Sequence, residues 1–461
     1  MAANFHFEKT VPFSSEQAEE ILRSIPALPG VFALYGEQAN SEPYLTRAAD
    51  LRRRMKRLLA PPESQSKRLN LRDRVARIEY TITGSEFEST LTLYQAASSI
   101  FGHAEARRRL RLHTPTFLRF TAENEFPRVY ATNRLSKRGL AQMYGPFPSR
   151  AAAERYCDAV LDLFKLRRCH EDLQPYPEHP GCVYGEMHKC IEPCKQACTQ
   201  EQYAAEAAAV KAFFDTRGES MLSQIATDRD RASEEMEFER AAQLHEQYQK
   251  VKTAASFADE IIQPVPNLRA VIVQKAAATG EREDEAALFL LSAGCVVGPE
   301  RLSTLGVRAV KEQTSVGSSL FAQPLMLQAV PLEGEALEAA DTASSPEDRA
   351  RTVLKALEGG PANDLAMLSD HLSLFRRWYY RPEKQRAGEV FLPNPDGSWP
   401  VRRILRGAAR QVLGEPKPLP DVQREASKKT AKDVKTRILH EGRPDVERVV
   451  PVITKHGSES E

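Results

Sequence analysis

Seven cysteines occur in this 461-residue chain, and five of them fall between Cys169 and Cys198. In order they are Cys169, Cys182, Cys190, Cys194 and Cys198. Pro175, Pro177, Pro180 and Gly181 separate the first two and exclude a continuous helix there. Pro193 stands directly before Cys194. Thiolates gathered from a loop and a short turn make a soft-metal site. The chain is long, its cysteine content is low, and Met1 to Thr10 lacks the basic-then-apolar pattern of a secretory signal. A disulfide framework is therefore not expected, and a reducing, cytoplasmic location is. Zinc and an iron–sulfur cluster are the two candidates. No tight CxxC knuckle occurs, and four widely spaced thiolates suit iron–sulfur better, but spacing alone leaves both open.

The flanking elements must deliver these thiols. A helix is expected from Ser149, its N-cap, to about Leu166, with Tyr156, Val160, Leu163 and Phe164 on its apolar face. It would end just before Cys169. Thr199-Gln200-Glu201-Gln202 is a capping-box pattern that opens an Ala-rich helix through about Phe214, broken by Gly218.

The run Leu166-Arg167-Arg168-Cys169, then Cys182, then Cys190-Ile191-Glu192-Pro193-Cys194, resembles the cysteine segment of the UvrC family. UvrC is the nuclease subunit of bacterial nucleotide excision repair. Tyr144-Gly145-Pro146-Phe147 resembles a stretch that precedes the cysteines in that family. The resemblance implies a [4Fe-4S] cluster on Cys169, Cys182, Cys190 and Cys194. Cys157, Cys198 and Cys295 fall outside the family pattern, with Cys198 a substitute ligand in reserve.

The N-terminal part carries a second candidate site. A short helix is expected over 14–24, a strand over Val31–Tyr35, a turn, and a second strand at Tyr44-Leu45. A helix follows with Leu51, Met55, Leu58 and Leu59 on one face and arginines around it. Those arginines read as a solvated face or, more sharply, as a phosphate-gripping one that includes Arg53 and Arg57. The order resembles the GIY-YIG nuclease domain that opens UvrC. Pro29-Gly30-Val31-Phe32 matches the first motif and Tyr44-Leu45-Thr46-Arg47 the second. The resemblance implies residual catalytic positions at Tyr44, Arg47 and Arg54. It also shows departures. Phe32 replaces a tyrosine, Thr46 replaces a glycine, and the metal-binding glutamate falls on Leu93. Leucine cannot bind Mg²⁺ or Mn²⁺, which need oxygen ligands, and phosphodiester hydrolysis relies on such an ion. A shifted register would put Glu88 in the ligand position instead. Cleavage is expected to be degenerate, with a divalent ion only if activity survives.

Downstream, Phe238, Ala241, Leu244, Tyr248 and Val251 recur at helical spacing within a hairpin expected over 220–258. A generic amphipathic helix accounts for that stripe. The sequence Glu237-Phe238-Glu239-Arg240-Ala241-Ala242-Gln243-Leu244 also resembles the UVR motif. That resemblance implies pairing with UvrB through Phe238, Glu239, Ala241, Ala242 and Leu244.

The domain reading is an extension over 1–24 and a GIY-YIG-like domain over 25–112. Linker strands with the cysteine segment follow over 113–199, then a helical region with the UVR motif over 200–262. An α+β domain resembling the UvrC middle region spans 267–395, with Pro264 and Pro266 as a linker before it. A basic, flexible tail is expected over 396–461, leaving no room for the ribonuclease H-like and helix–hairpin–helix domains of the family. The expected fold class is α+β, multidomain.

Net charge is +1, so no global field draws in nucleic acid, and DNA contact must come from local patches. No apolar run reaches membrane-span length. Three readings follow. One is a UvrC-like repair protein that binds UvrB and DNA with a degenerate incision centre. The second is an active single-incision endonuclease. The third is an iron–sulfur interaction scaffold without DNA contact.

Overall fold

A computed structural model describes residues 5–38, 41–61, 69–170, 173–278, 284–307, 345–358, 364–382 and 385–414. It also describes the backbone of two short strands further on. The architecture is mixed α and β, built on small antiparallel sheets. Residues 1–413 form one unit and residues 414–461 another.

The N-terminal module contains β1 (Lys9–Pro12), α1 (Ala18–Ser24), β2 (Gly30–Tyr35), β3 (Tyr44–Ala48), α2 (Leu51–Leu59), β4 (Arg77–Ile82) and α3 (Glu86–Phe101). The sheet order is β1-β4-β2-β3, all pairs antiparallel. Strand β2 is central and buried along nearly its whole length, which its apolar run Val31-Phe32-Ala33-Leu34 requires. On α2 the buried residues are Leu51, Met55, Leu58 and Leu59, and the Asp50 carboxylate caps the helix by accepting the Arg53 amide at 2.8 Å. The expected extension over 1–24 is part of this module. Lys9–Pro12 is the edge strand, and Phe13, Ala18 and Leu22 lie in the core beside Phe32 and Met55.

Helix α3 packs away from that core. Phe87, Leu91 and Tyr94, spaced at i, i+4 and i+7, enter a larger cluster with the middle and C-terminal modules. Phe87 meets Phe289 edge-on at 5.3 Å and Trp378 at 4.9 Å. The turn before α3 demands glycine. A Cβ on Gly84 would lie 2.2 Å from the Ala276 carbonyl carbon and from the Lys275 carbonyl oxygen.

Helix α4 (His103–Arg109) follows α3. The middle module comprises β5 (Thr116–Phe120), β6 (Val129–Thr132), β7 (Met143–Phe147), α5 (Arg150–Leu161), α6 (Val183–Glu186), α7 (Gln200–Thr216), α8 (Glu219–Glu234), α9 (Phe238–Ala255) and β8 (Gln263–Pro264). Its sheet order is β6-β5-β7-β8. Ser149 caps α5 and Thr199 forms the expected capping box of α7. Residues 263–264, expected as linker, pair instead with Tyr144 and Gly145.

The C-terminal module has β9 (Arg269–Lys275), β10 (Glu285–Ser292), β11 (Cys295–Ser303), α10 (Pro346–Leu357), α11 (Leu365–Tyr379), β12 (Glu389–Phe391) and α12 (Val401–Leu413). Its sheet order is β11-β10-β9-β12. Both faces are covered, so successive residues alternate between two cores. Ile272, Phe289 and Leu291 face the large cluster; Val271, Val273, Leu288 and Leu290 face α10 and α12. Helix α12 corrects the expected basic tail from residue 396. Ile404, Leu405 and Ala408 are core residues, and its arginines lie mostly on the other side. In the second unit, β13 (Thr436–Ile438) pairs antiparallel with β14 (Arg448–Val450). The rest of the expected tail lies outside the described residues.

One buried acid makes this fold pH-sensitive. Glu88 is 7% exposed, and burial pushes its carboxyl up to about 7 even though Oε2 accepts the Gly84 amide at 2.7 Å. With its folded pKa raised, the folded state holds a proton that the unfolded state releases above its ordinary pKa. Stability is therefore highest below about pH 4.5 for this group and falls as pH rises to about 7. Glu88→Gln is expected to flatten that slope, worth about 3 kcal/mol, in urea titrations between those pH values. An unchanged slope would refute the assignment.

Candidate functional site

Four thiols meet where the loop after α5 turns back towards α7. Cys190 and Cys194 are buried; Cys169 and Cys182 are half-buried. Burial first, and then the Cys169, Cys182 and Cys194 sulfurs nearby, push the Cys190 thiol up to about 12. Burial also raises Cys194, which feels Cys182 and Cys169. Cys190 thus feels the other three thiols, and Cys194 feels two of them. Cys198 lies near Cys194, with its thiol raised by burial. Cys157 is buried in α5, and Cys295 is buried at the start of β11. All seven are unbridged.

Local backbone shape brings the thiols together. His188, Glu192 and Gln196 have φ values of 56°, 49° and 56°. These left-handed residues alternate with Cys190, Cys194 and Cys198, so a sharp change of chain direction precedes each cysteine. Such conformations cost non-glycine residues about 1 kcal/mol or more each and persist where surrounding structure or a ligand fixes them. Backbone amides support the sulfurs: the Glu192 amide favours thiolate at Cys190 and the Lys195 amide does so at Cys194. Arg167, 4% exposed, lies with Nη1 3.6 Å from Cys169 Sγ and donates Nε to the Phe126 carbonyl at 2.9 Å. Arg128 Nη1 donates to the Cys169 carbonyl at 3.0 Å. A buried guanidinium beside a thiol offsets thiolate charge.

The donor set is soft and anionic when ionised. Among the described residues no three His, Cys, Asp or Glu side chains converge closely enough for a single metal ion.

The N-terminal candidate residues also assemble. Arg54 Nη2 donates to the Tyr44 hydroxyl at 3.0 Å. Arg47 donates to Thr90 Oγ1 at 3.1 Å and Glu86 Oε1 at 3.0 Å. Phe32 is fully buried, its ring centroid 6.3 Å from that of Tyr44. Glu86, Thr90 and half-buried Leu93 share one face of α3 at i, i+4 and i+7. The only ionisable group on that face among these three is already held. Arg381, from the end of α11, donates Nη1 to Glu86 Oε2 at 2.5 Å and Nη2 to Oε1 at 3.0 Å. Hydrogen bonds from Arg381 and then Arg47 hold Glu86 down to about 2. Glu88, the alternative ligand, points elsewhere, into its bond with Gly84. Arg53 and Arg57 are exposed one turn apart on α2, and among the described residues no acid pairs with either.

Sequence reasoning did not find Arg381, because its partner Glu86 lies 295 residues away. Nor did it find Asp370, fully buried, with His103 Nε2 at 2.8 Å and Arg107 Nη1 at 3.4 Å. The arginine run after α3 is consumed in this way. Arg108 and Arg109 pair with Glu105, and Arg109 also with Glu42.

The UVR-like hairpin has a free end. Phe238 is 69% and Met236 76% exposed at the turn between α8 and α9. Ala242 and Glu239 are exposed, Ala241 and Leu244 half-buried, and only Val251, two turns further on, is fully buried.

Residues 116–213, which hold β5 to most of α7 and every cysteine of the cluster, match the family described as UvrC/Cho excinuclease, middle domain. Over these residues the chain is similar to UvrC-family proteins. It is 30% identical over 232 residues to UvrABC system protein C of Carboxydothermus hydrogenoformans, covering 50% of this chain and 37% of that one. It is 27% identical over 241 residues to the Yersinia pseudotuberculosis protein of that name, covering 51% and 38%. With the Idiomarina loihiensis protein the identity is 23% over 232 residues, covering 50% and 37%. The chain therefore spans well under half the length of these UvrC relatives. No solved structure gives a significant match. Among the described residues, no helix is long and apolar enough to cross a membrane.

Proposed function

We propose that this UvrC-family chain serves nucleotide excision repair as a binding protein with a degenerate incision centre, contacting DNA and a UvrB-type partner and carrying a [4Fe-4S] cluster. The observation that carries the loss of cutting is the α3 face opposite Tyr44, Arg47 and Arg54. There, by the resemblance, Leu93 falls on the family's metal-binding carboxylate position, and Glu86 is occupied by two guanidinium groups. Without a free carboxylate, the attacking water and the developing phosphate charge have no metal to organise them.

The residues that would hold the cluster are Cys169, Cys182, Cys190 and Cys194, with Arg167 and the Glu192 and Lys195 amides around them. When bound, the cluster supplies strong iron–thiolate cross-links between the α5 loop and the start of α7. The chain's own contribution is to bring four thiols together and to offset their charge. Phe238 supports the partner reading. An exposed aromatic at a hairpin tip, followed by the small residues Ala241 and Ala242, suits close packing against another helical hairpin. Arg53 and Arg57 suit phosphate contact.

The test is a nicking assay with UvrB and damaged DNA in Mg²⁺ or Mn²⁺. Wild type is expected to leave the strand intact, and Leu93→Glu to gain measurable cleavage. Efficient nicking by wild type would overturn the reading. In the same preparation, Phe238→Ala is expected to weaken co-elution with UvrB by tenfold or more, about 2 kcal/mol. Binding indifferent to that change would remove the partner assignment.

A second reading rests on Glu86 itself. It faces the Arg47 side of the pocket, so removing Arg381 frees one carboxylate there. If Arg381→Ala alone turned on metal-dependent nicking, the chain would be a restrained endonuclease.

A further inference from the structure

A polar cavity of ≈ 690 Å³ opens between the β5–β6 hairpin, the 134–136 loop and the first turn of α5. Arg119, Arg128, Arg134 and Arg150 line it, with Tyr130, against Glu123 as the one acidic residue. For a chain of net charge +1, this is a strong local excess of positive charge.

The arginines are positioned rather than scattered. Arg119 lies over Gly139, where a Cβ would sit 1.3 Å from its Nη1, so a side chain there would have to displace the guanidinium. It donates Nη1 to Ser136 at 3.3 Å and Nη2 to Glu123, which neutralises the single acid of the cavity. Arg128 uses Nη1 to hold the Cys169 carbonyl, while its Nε is buried with no acceptor among the described residues. Its guanidinium carbon is 5.1 Å from the Tyr130 ring centroid. Arg134 is exposed, and no acid pairs with it among the described residues. Arg150, the first residue of α5, meets Glu154 at 2.7 Å in a solvent-exposed pair, which an incoming phosphate can displace at little cost. The N-terminus of a twelve-residue helix beside the cavity adds attraction for anions.

We propose that this groove binds single-stranded nucleic acid, with Arg134, Arg150 and Arg128 on successive phosphates and the Tyr130 ring as the stacking platform for a base. Positive side chains with an interleaved aromatic are what sequence-tolerant strand binding requires. A duplex would hide its base faces from Tyr130. The groove is separate from Arg53 and Arg57, and Arg128 joins it directly to the main chain of Cys169. The inference rests on the DNA-binding part of the function proposed above and adds a contact site to it.

Fluorescence anisotropy of a labelled oligothymidylate of about 16 nucleotides with the full chain tests this. Arg134→Glu with Arg150→Glu is expected to weaken binding by tenfold or more, leaving circular dichroism and thermal midpoint unchanged. Because each lost phosphate contact removes about 0.7 from the slope of log affinity against log salt, the slope should become shallower by about 1.4. Tyr130→Phe should bind as wild type and Tyr130→Leu roughly tenfold more weakly. If Arg134→Glu with Arg150→Glu binds like wild type while Arg53→Glu with Arg57→Glu loses binding, the groove is overturned and DNA contact stands. If wild type binds no oligonucleotide, both fall. If inorganic phosphate at matched ionic strength displaces the strand as fully as unlabelled oligothymidylate does, the groove is a free-anion site and the strand assignment is overturned.

Discussion

Cys190→Ser is expected to yield protein without iron, without inorganic sulfide and without absorption in the visible blue, and with a much lower unfolding temperature. Cys190 is one of the two buried thiols of the four. It is 8% exposed, and burial together with its three sulfur neighbours drives its thiol up to about 12. A bare thiolate there is unfavourable, and in the proposed cluster the iron charge would supply what solvent does not. Serine offers a hard, weakly acidic oxygen that soft iron holds poorly. Without ligation nothing comparable fixes the left-handed turns at Glu192 and Gln196, and the loop between α5 and α7 should loosen. Cys157→Ala is the matched control, because Cys157 lies within the α5 core away from the group. Iron content and spectra measured on both variants after anaerobic purification decide the matter. A Cys190→Ser protein as coloured as wild type, or a wild type holding zinc alone, would remove the cluster from the proposal.

Arg410→Ala should be the most destabilising single change in the C-terminal module. Arg410 on α12 forks onto Glu389 of β12, Nε to Oε1 at 2.8 Å and Nη2 to Oε2 at 2.6 Å. The residues are 9% and 4% exposed, so truncating the arginine strands a carboxylate in the interior. Breaking one side of such a pair costs about 3–5 kcal/mol. Urea unfolding should show a lower midpoint with an unaltered slope. Replacing both partners, Arg410→Met with Glu389→Leu, should recover much of the loss, because no uncompensated charge remains. An unmoved midpoint in Arg410→Ala would mean that α12 is not anchored through this pair.

Much of the scaffold could be read from local chemistry. Ser149 and Thr199 announced their helices because capping is decided within three residues, and both side chains accept the expected amide. The continuous apolar runs of β9 and β10 suit strands buried on both faces. The cysteine group was legible because its ligating types are rare and close in sequence. What escaped was either short or distant. Strand β1 is four residues ending in Pro12, which an edge position tolerates and a sequence scan discounts. Helix α12 did carry a signal, Ile404-Leu405 followed by Ala408 and Val412, but the surrounding arginines disguised it as a solvated tail. The neutralisation of Glu86 by Arg381, and of Asp370 by His103 and Arg107, depends on how the chain folds back across hundreds of residues. The nearby sequence does not encode such meetings.

The direction in which α3 faces has a consequence for modularity. Its apolar stripe of Phe87, Leu91 and Tyr94 is shared with Phe289 and Trp378, while the helix also contacts β2 and β3 of the sheet that precedes it. A fragment ending near residue 112 would carry that stripe naked into water and should precipitate or recruit chaperones, whereas a conventional N-terminal domain would survive excision. The same joint rules out a freely swivelling head. Any motion that swings the Tyr44 pocket carries the β9–β12 sheet with it through this contact.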